Sequence, residues 1–452
     1  MTTTHNPYRG RSIVVLGLGR SGMAAARLLL RYEAIVTVCD SGESEAIMAR
    51  AETLRNEGGV VLTGISATRD TSRYDCAILS PGIEETTMLV TNVTSKGIPL
   101  IGELELAFTL CNCPVVAITG TNGKTTTTEL TSRMLNGAGM RNAPCGNIGT
   151  PLSELVVSGD HWNLLVAEVS SFQLETIRTF HPKVALWLNL SPNHLDRYPS
   201  IEEYRKAKLR IFENQGPEDW AIVPFGEDFA EVRSRKISFG IDSPEADLTL
   251  RGREIFHHGE PLLDLGQTNL QGLHNASNLM AAFGCGLALG ADPARMAEAV
   301  RDYRPPAHRC ELIGERGGVR WINDSKATNL DAMEQAIRSV EGPLILIAGG
   351  KDKGFEFAPI APLIRERVAF AIVLGEMRHR IARDWAPAAL STVESLEEAV
   401  ILASKKAVPG TTVLFSPGTS SFDMFRDYIE RGECFRRSVG ELSEPLLADI
   451  KQ

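Results

Sequence analysis

Residues 115–130 read VVAITGTNGKTTTTEL, and few segments leave a backbone less choice. The apolar run Val115–Ile118 predicts a buried strand, and the stretch from Lys124 predicts a helix that stops at Gly137. A strand, a glycine turn and a helix in that order belong to a parallel α/β sheet, with an anion favoured at the helix N-terminus. The general phosphate-loop pattern is G-x-x-x-x-G-K-[ST]. Gly123, Lys124 and Thr125 fit it, but Ile118 stands where the first glycine belongs, so the loop contracts to G-x-x-G-K-T from Gly120. The N–H groups of Thr121 to Thr125 are expected to face an anion, with Lys124 adding charge and the Thr125 hydroxyl reaching Mg²⁺. The competing reading is a turn with an incidental Gly-Lys-Thr.

Short apolar runs alternate with longer amphipathic stretches through all 452 residues, too many for one core. The expected fold class is α/β in three domains. These are an N-terminal Rossmann-like fold over residues 1–102, a central P-loop mononucleotide-binding fold over 103–307, and a C-terminal Rossmann-like α/β domain over 308–452. Pro305 and Pro306 mark the second junction. Net charge is −9 with no long basic run, which argues against nucleic acid. No apolar stretch reaches membrane-spanning length and the first residues lack a signal-peptide core, so the expected address is the cytoplasm. The eight cysteines are scattered, and Cys111 and Cys113 lack a second pair at zinc spacing, so all read as reduced, mostly buried thiols.

In the first block Gly17, Gly19 and Gly22 form G-x-G-x-x-G between a strand and a helix, and Asp40 closes the next strand. The default ligand of that pattern is NAD. About a hundred residues are enough for one mononucleotide-binding half, which favours a single nucleotide moiety. A tight turn without ligand is the alternative.

Downstream of the loop, the apolar strand in WNLLVAEVSS ends near Glu168, placed to hold Mg²⁺. VALWLNLS delivers Asn193 and His194 into a loop, where His194 is either a ligand or an ordinary polar residue. In SIEEYRKAKLRIFEN, Ser200 and Glu203 form a capping box. Ile201, Tyr204, Ile211 and Phe212 make one apolar stripe with Lys208 in its middle, while Lys206 and Arg210 fall off it as solvated charges. Lys208 either snorkels to water or is a desolvated, nucleophilic amine able to add CO₂ as a carbamate.

TGTNGKTT, EVSSFQLE, NHLDRYPSIEEYRKAK, HNASN, HR and NDSKATN together resemble, in order and over nearly the whole chain, the motif series of the Mur ligases. That resemblance implies three domains binding a UDP-sugar, ATP and an incoming amino acid. SSFQLE and NHLDRY resemble the member that adds D-glutamate to UDP-N-acetylmuramoyl-L-alanine in peptidoglycan precursor synthesis. The string DNPR of the diaminopimelate- or lysine-adding member is missing, and Asn122 stands where the alanine-adding member has histidine.

By that resemblance, Gly120, Thr121, Asn122, Gly123, Lys124, Thr125, Thr126, Asn278, Arg309 and Asp324 would hold ATP. Thr125, Glu168, His194 and Lys208 as a carbamate would serve two Mg²⁺ ions, and Lys124, Glu168, His194 and Lys208 would be catalytic. Gly17, Leu18, Gly19, Asp40, Ser80, Asn147 and His194 would meet the UDP-sugar. Lys326, Thr328, Lys353, Ser421 and Tyr428 would meet D-glutamate, whose two carboxylates need cations and hydroxyl donors. Two places depart from the family: Tyr428 replaces another aromatic, and no basic residue follows Asp40 at Ser41 and Gly42. A monomer is expected, with the C-terminal domain closing on ATP and D-glutamate. The rivals are another Mur-type or folylpolyglutamate-type ligase, which has no reason to carry GLGRSG, a nicotinamide oxidoreductase fused to an ATPase, and a non-catalytic ATP switch.

Overall fold

Apolar β-branched runs become strands here, and the glycines between them become the turns into helices. The computed structural model describes residues 6–442 apart from 84–85, 195–196, 271, 305–306 and 353–354, so Pro305, Pro306 and Lys353 lie outside the described residues. Among the described residues the strands form three sheets. The chain divides into two compact units, the first comprising Met1–Asn189, Arg205–Thr268 and Ser277–Asp302, the second Leu190–Tyr204, Asn269–Ala276 and Tyr303–Gln452.

The first sheet contains β1 (Ser12–Leu16), β2 (Ile35–Asp40), β3 (Val60–Thr63), β4 (Cys76–Leu79) and β5 (Leu100–Gly102). All are parallel, in the order β3-β2-β1-β4-β5. That order crosses a switch point between β1 and β4, so the block holds more than one mononucleotide-binding half. The half-size estimate from length is thereby corrected: short strands and short connections fit five strands into a hundred residues.

The second sheet contains β6 (Val115–Thr119), β7 (Asn142–Gly146), β8 (Leu164–Glu168), β9 (Val184–Trp187), β10 (Trp220–Pro224), β11 (Arg235–Ile241), β12 (Leu248–Arg251), β13 (Glu254–His257) and β14 (Glu260–Asp264). Its order is β14-β13-β12-β11-β10-β9-β6-β8-β7. Strands β6 to β9 are buried throughout except at the edge strand β7, as a sheet covered on both faces requires. β12, β13 and β14 run antiparallel, a departure from the all-parallel expectation. The physical cause is a pair of two-residue loops. Gly252 has φ +59°, while His258 and Gly259 have φ of 49° and 88°, the left-handed pair a tight hairpin needs.

The two sheets of this unit are joined through the helix Glu103–Leu110. Its Glu103 carboxylate accepts the Ser153 N–H, and Glu105 accepts those of Arg178, Thr179 and Phe180.

The third sheet contains β15 (Glu311–Arg316), β16 (Val319–Asn323), β17 (Leu344–Gly349), β18 (Phe370–Leu374), β19 (Leu390–Thr392) and β20 (Thr412–Phe415), ordered β15-β16-β20-β17-β18-β19. Only the β15–β16 pair is antiparallel, closed by Gly317 and Gly318 at φ of 56° and 74°. Alternate residues feed two cores. Leu344, Leu346 and Ala348 pack with Ile337, Phe357 and Trp385 on one face, and Ile345 and Ile347 pack with Val400, Ala403 and Phe435 on the other. Helices on both faces of a mostly parallel sheet give the three-layer arrangement expected for this segment.

Candidate functional site

The phosphate-loop strand ends at Thr119 and the next helix spans Lys124–Gly137. Gly123 caps that helix at φ 81°, and a Cβ there would stand 2.3 Å from Asn278 Oδ1. Gly120 lies against Leu188, whose Cβ would be 2.8 Å from an added methyl. Both glycines are therefore required by the path of the loop itself, and Asn278 is brought to it as expected.

One expectation for the loop needs correction. The Thr121 and Asn122 N–H groups do not face an open anion site, because both donate to Asn189 Oδ1, at 3.1 and 2.9 Å. Asn189 Nδ2 returns a bond to Asn122 O at 3.1 Å. Asn189 thus clamps the loop in its contracted form. It was legible only as a polar residue just past the apolar run of β9, a weak signal. The N–H groups of Lys124 to Thr126, in the helix's first turn, are the ones a helix cannot bond within itself.

Around this loop the expected carboxylate and amines converge. Thr125 Oγ1 donates to Glu168 Oε2 at 2.7 Å, and Asn147 Nδ2 donates to Glu168 Oε1 at 3.1 Å. Glu168 is buried at the end of β8, beside the loop because β6 and β8 are neighbours in parallel register. Lys124 and Lys208 both donate to Gly120 O, at 3.0 and 2.8 Å.

Lys208 is 1% exposed, so it does not snorkel. Burial first, and then the neighbouring Lys124 charge, hold its ammonium well below the usual lysine range, while Glu168 works in the other direction. A neutral amine is the nucleophilic form. Its helix spans Ile201–Leu209 and tightens to a 3-10 turn over Arg210–Phe212. Ser200 Oγ caps it by accepting the Glu203 N–H at 3.2 Å. Tyr204, Ile211 and Phe212 are buried as the stripe requires, but Ile201, in the first turn, is 40% exposed. Arg210 is also not the solvated charge expected: it donates to Leu174 O and Ile177 O at 2.8 and 2.9 Å, satisfying carbonyls at the end of a short helix.

At the glycine turn of the first sheet, Asp40 accepts the Leu18 and Gly42 N–H groups at 2.7 and 2.8 Å. Ser80 Oγ donates to Gly17 O at 3.3 Å. A Cβ on Gly22 would fall 1.9 Å from Gly17 O, which explains the third glycine. Gly19 has open space and is not sterically required. No basic residue directly follows Asp40; on the next helix, Arg50 donates to Leu18 O at 3.3 Å.

In the second unit, His194 takes φ 56° and its N–H donates to Asn193 Oδ1 at 3.0 Å. His194 and Lys208 belong to different compact units. Asp324 is buried, accepting Cys310 N–H at 3.1 Å and Ser416 Oγ at 2.8 Å. Burial pushes its carboxyl up to about 7, against the pull of those bonds and of Arg309. Lys326 Nζ lies 3.8 Å from the Tyr428 ring centroid, a cation–π contact. Thr328 is half-buried and Ser421 buried, both near the loop that Gly418 closes onto Ala327 O at 2.9 Å.

The sequence reading missed Arg431. Its guanidinium is buried and donates to Ser325 Oγ, Ser325 O and Thr419 O at 3.1, 2.7 and 3.1 Å. It ties together the two loops that carry Lys326 and Ser421. Nothing in the sequence singles it out, because burial of an arginine cannot be read from composition.

Three family models match the chain: "Mur ligase MurD-like, N-terminal domain" over residues 11–102, "Mur ligase middle domain" over 118–286, and "Mur ligase, glutamate ligase domain" over 308–418. The UDP-N-acetylmuramoylalanine--D-glutamate ligase of Geobacter metallireducens is 40% identical, over 96% of this chain and 98% of its own. That of Syntrophotalea carbinolica is 41% identical over 96% and 98%. Among solved structures, the MurF ligase of Thermotoga maritima in complex with ADP has a TM-score of 0.63 at 16% identity, covering 90% of this chain and 95% of that one.

Proposed function

The chain belongs to the Mur ligase family, and we propose that it joins D-glutamate to UDP-N-acetylmuramoyl-L-alanine with hydrolysis of ATP to ADP and phosphate. The observation that carries the chemistry is the pair of lysines, Lys124 and Lys208, converging on one carbonyl beside Glu168. Such a concentration of cationic and nucleophilic nitrogen suits a site where two anions must meet.

The substrate carboxylate attacks the γ-phosphorus of ATP, giving an acyl phosphate and ADP. The D-glutamate amine then adds to the acyl carbon and phosphate leaves. Lys124 and the first turn of the helix Lys124–Gly137 offset the charge of the phosphates. Asn189 keeps the loop in its contracted shape, and Asn278 packs against Gly123.

The residues present suit Mg²⁺. Among the described residues no three His, Cys, Asp or Glu side chains form a closed metal site. Magnesium is commonly held by one or two carboxylates, with phosphates and water completing the shell. Thr125, Glu168, His194 and Lys208 as a carbamate would hold two ions, which screen the phosphates and polarise the phosphoryl oxygens. The buried amine of Lys208 is the form that adds CO₂.

Gly17, Leu18, Gly19, Asp40, Ser80 and Asn147 are assigned to the UDP-sugar, with Arg50 filling the place left by Ser41 and Gly42. Arg309 and Asp324 are assigned to ATP. Lys326, Thr328, Ser421 and Tyr428, with Lys353 outside the described residues, are assigned to D-glutamate. On this reading the protein is a cytoplasmic monomer. Among the described residues no helix is long and apolar enough to cross a membrane. Light scattering tests the monomer, and compaction in small-angle scattering with an ATP analogue and UDP-sugar tests closure of the C-terminal domain.

The decisive experiment is phosphate release with ATP, UDP-N-acetylmuramoyl-L-alanine and single amino acids. Release with D-glutamate alone is expected. Release with another amino acid, or none at all, overturns the assignment.

A further inference from the structure

Away from the ligase site, the sequence Cys111-Asn112-Cys113 places two thiols in contact. The Sγ atoms are 3.7 Å apart, with one residue between them. A disulfide requires about 2.0 Å between sulfurs, so the two must draw together by about 1.7 Å to bond. Cys111 ends the helix Glu103–Leu110 in an extended conformation, and Cys113 precedes Pro114 and β6. The pair therefore sits on the chain's passage from the first sheet to the second.

Both thiols are part-exposed, whereas Cys39, Cys76, Cys145 and Cys285 are buried. The two thiols share a hydrogen bond that either can donate, and Cys111 Sγ also donates to Cys113 O at 3.4 Å. The contact with Cys113 draws the Cys111 thiol below its ordinary range, against desolvation. The same bond pushes Cys113 up. One sulfur is thus the better nucleophile and its neighbour keeps a proton, the asymmetry that attack and resolution need. Cys310, also part-exposed, is raised well above the usual thiol range by burial, so its thiolate is disfavoured. Among the described residues no third ligand joins the pair to make a metal centre.

We propose that Cys111 and Cys113 are a redox modification site, a dithiol that a peroxide closes to an intramolecular disulfide. The Cys111 thiolate attacks one peroxide oxygen, breaking the O–O bond, to give a sulfenic acid and hydroxide. The Cys113 sulfur then attacks the Cys111 sulfur, its proton leaving with the sulfenic oxygen as water. In sum, two thiols and one hydrogen peroxide give one disulfide and two waters. A small-molecule dithiol reverses it by exchange.

The full-length protein is treated with a small excess of hydrogen peroxide, quenched, alkylated and mapped by mass spectrometry. The peptide holding both residues is expected to lose two hydrogens and to regain them with dithiothreitol. In Cys113→Ser, Cys111 is expected to carry oxygen or an added thiol instead. A pair that stays fully reduced while Cys434 is oxidised overturns the proposal. So does a wild-type pair that gains oxygen without losing two hydrogens. The readout is independent of ligase activity, so it stands or falls apart from the proposed reaction.

Discussion

Thr125 Oγ1 donates to Glu168 Oε2 across 2.7 Å, from the first turn of the loop helix to the last residue of the neighbouring strand. The bond sets both oxygens beside the phosphate loop before any ligand arrives. Preorganisation of this kind is worth most where charge must be concentrated.

Glu168→Gln keeps the shape and removes the charge. Turnover is expected to fall by about 100-fold or more, with a higher magnesium requirement. Phosphate release measured across a magnesium series checks it, and an unchanged rate would remove Glu168 from the metal set.

Lys208→Met is expected to abolish turnover yet leave the fold as stable or more so, by roughly 1 kcal/mol, because a buried amine is exchanged for an apolar chain of similar size. The lowered amine of Lys208 binds fewer protons folded than unfolded, so its destabilising effect is largest at low pH and fades as pH rises toward the ordinary lysine range. Thermal unfolding of both forms against pH reads this. Recovery of activity in Lys208→Ala with short-chain carboxylates is the companion assay, and full activity without them would sink the carbamate.

Gly123→Ala puts a methyl group against Asn278 and an alanine at φ 81°. The left-handed backbone alone costs about 1–2 kcal/mol. ATP-analogue affinity, measured by calorimetry, is expected to fall about tenfold, since roughly 1.4 kcal/mol is one decade. Undiminished affinity would show that the loop does not hold the nucleotide in this form.

Asp324 carries its proton into the neutral range, so the folded state binds more protons than the unfolded one between the ordinary carboxylate range and about pH 7. Stability therefore falls as pH rises through that window, and the cost is complete above it. Asp324→Asn can keep the Cys310 N–H bond and let Ser416 accept instead of donate. It is expected to be more stable than the parent at pH 8, by on the order of 1–3 kcal/mol, and by a smaller margin at pH 5. Denaturant titrations at the two values decide this.

Arg431→Met leaves the Ser325 and Thr419 carbonyls without their donor, each a loss of about 1–3 kcal/mol when buried. The KM for D-glutamate is expected to rise by at least tenfold while that for ATP changes little, and Arg431→Lys to recover part of it. Equal rises in both constants would mean a general loss of fold.

Much of the site was legible because it lies where strands end. Glu168 ends an apolar run, and Lys124 and Thr125 follow one across a short glycine turn, so strand prediction alone places them at the carboxyl ends of strands. Lys208 was legible by its position in an apolar stripe, though the stripe erred at Ile201 and the pattern erred at Arg210. Arg50 and Arg431 were not legible, and Asn189 only faintly, as a polar residue just past β9. Each acts by reaching a backbone carbonyl or N–H on a distant segment, and such acceptors leave no mark on the sequence near the donor.

The sequence by itself determined the three α/β blocks, the contracted loop and the residue types at its mouth, because strand, turn and helix patterning are local properties of the chain. Only the tertiary structure decided that β8 lies beside β6 and so gives Thr125 its partner. It also decided that Asn189 takes the loop N–H groups and that Lys208 is dry. Those outcomes depend on which strands pair and which side chains exclude water, and both are settled by packing between segments tens of residues apart.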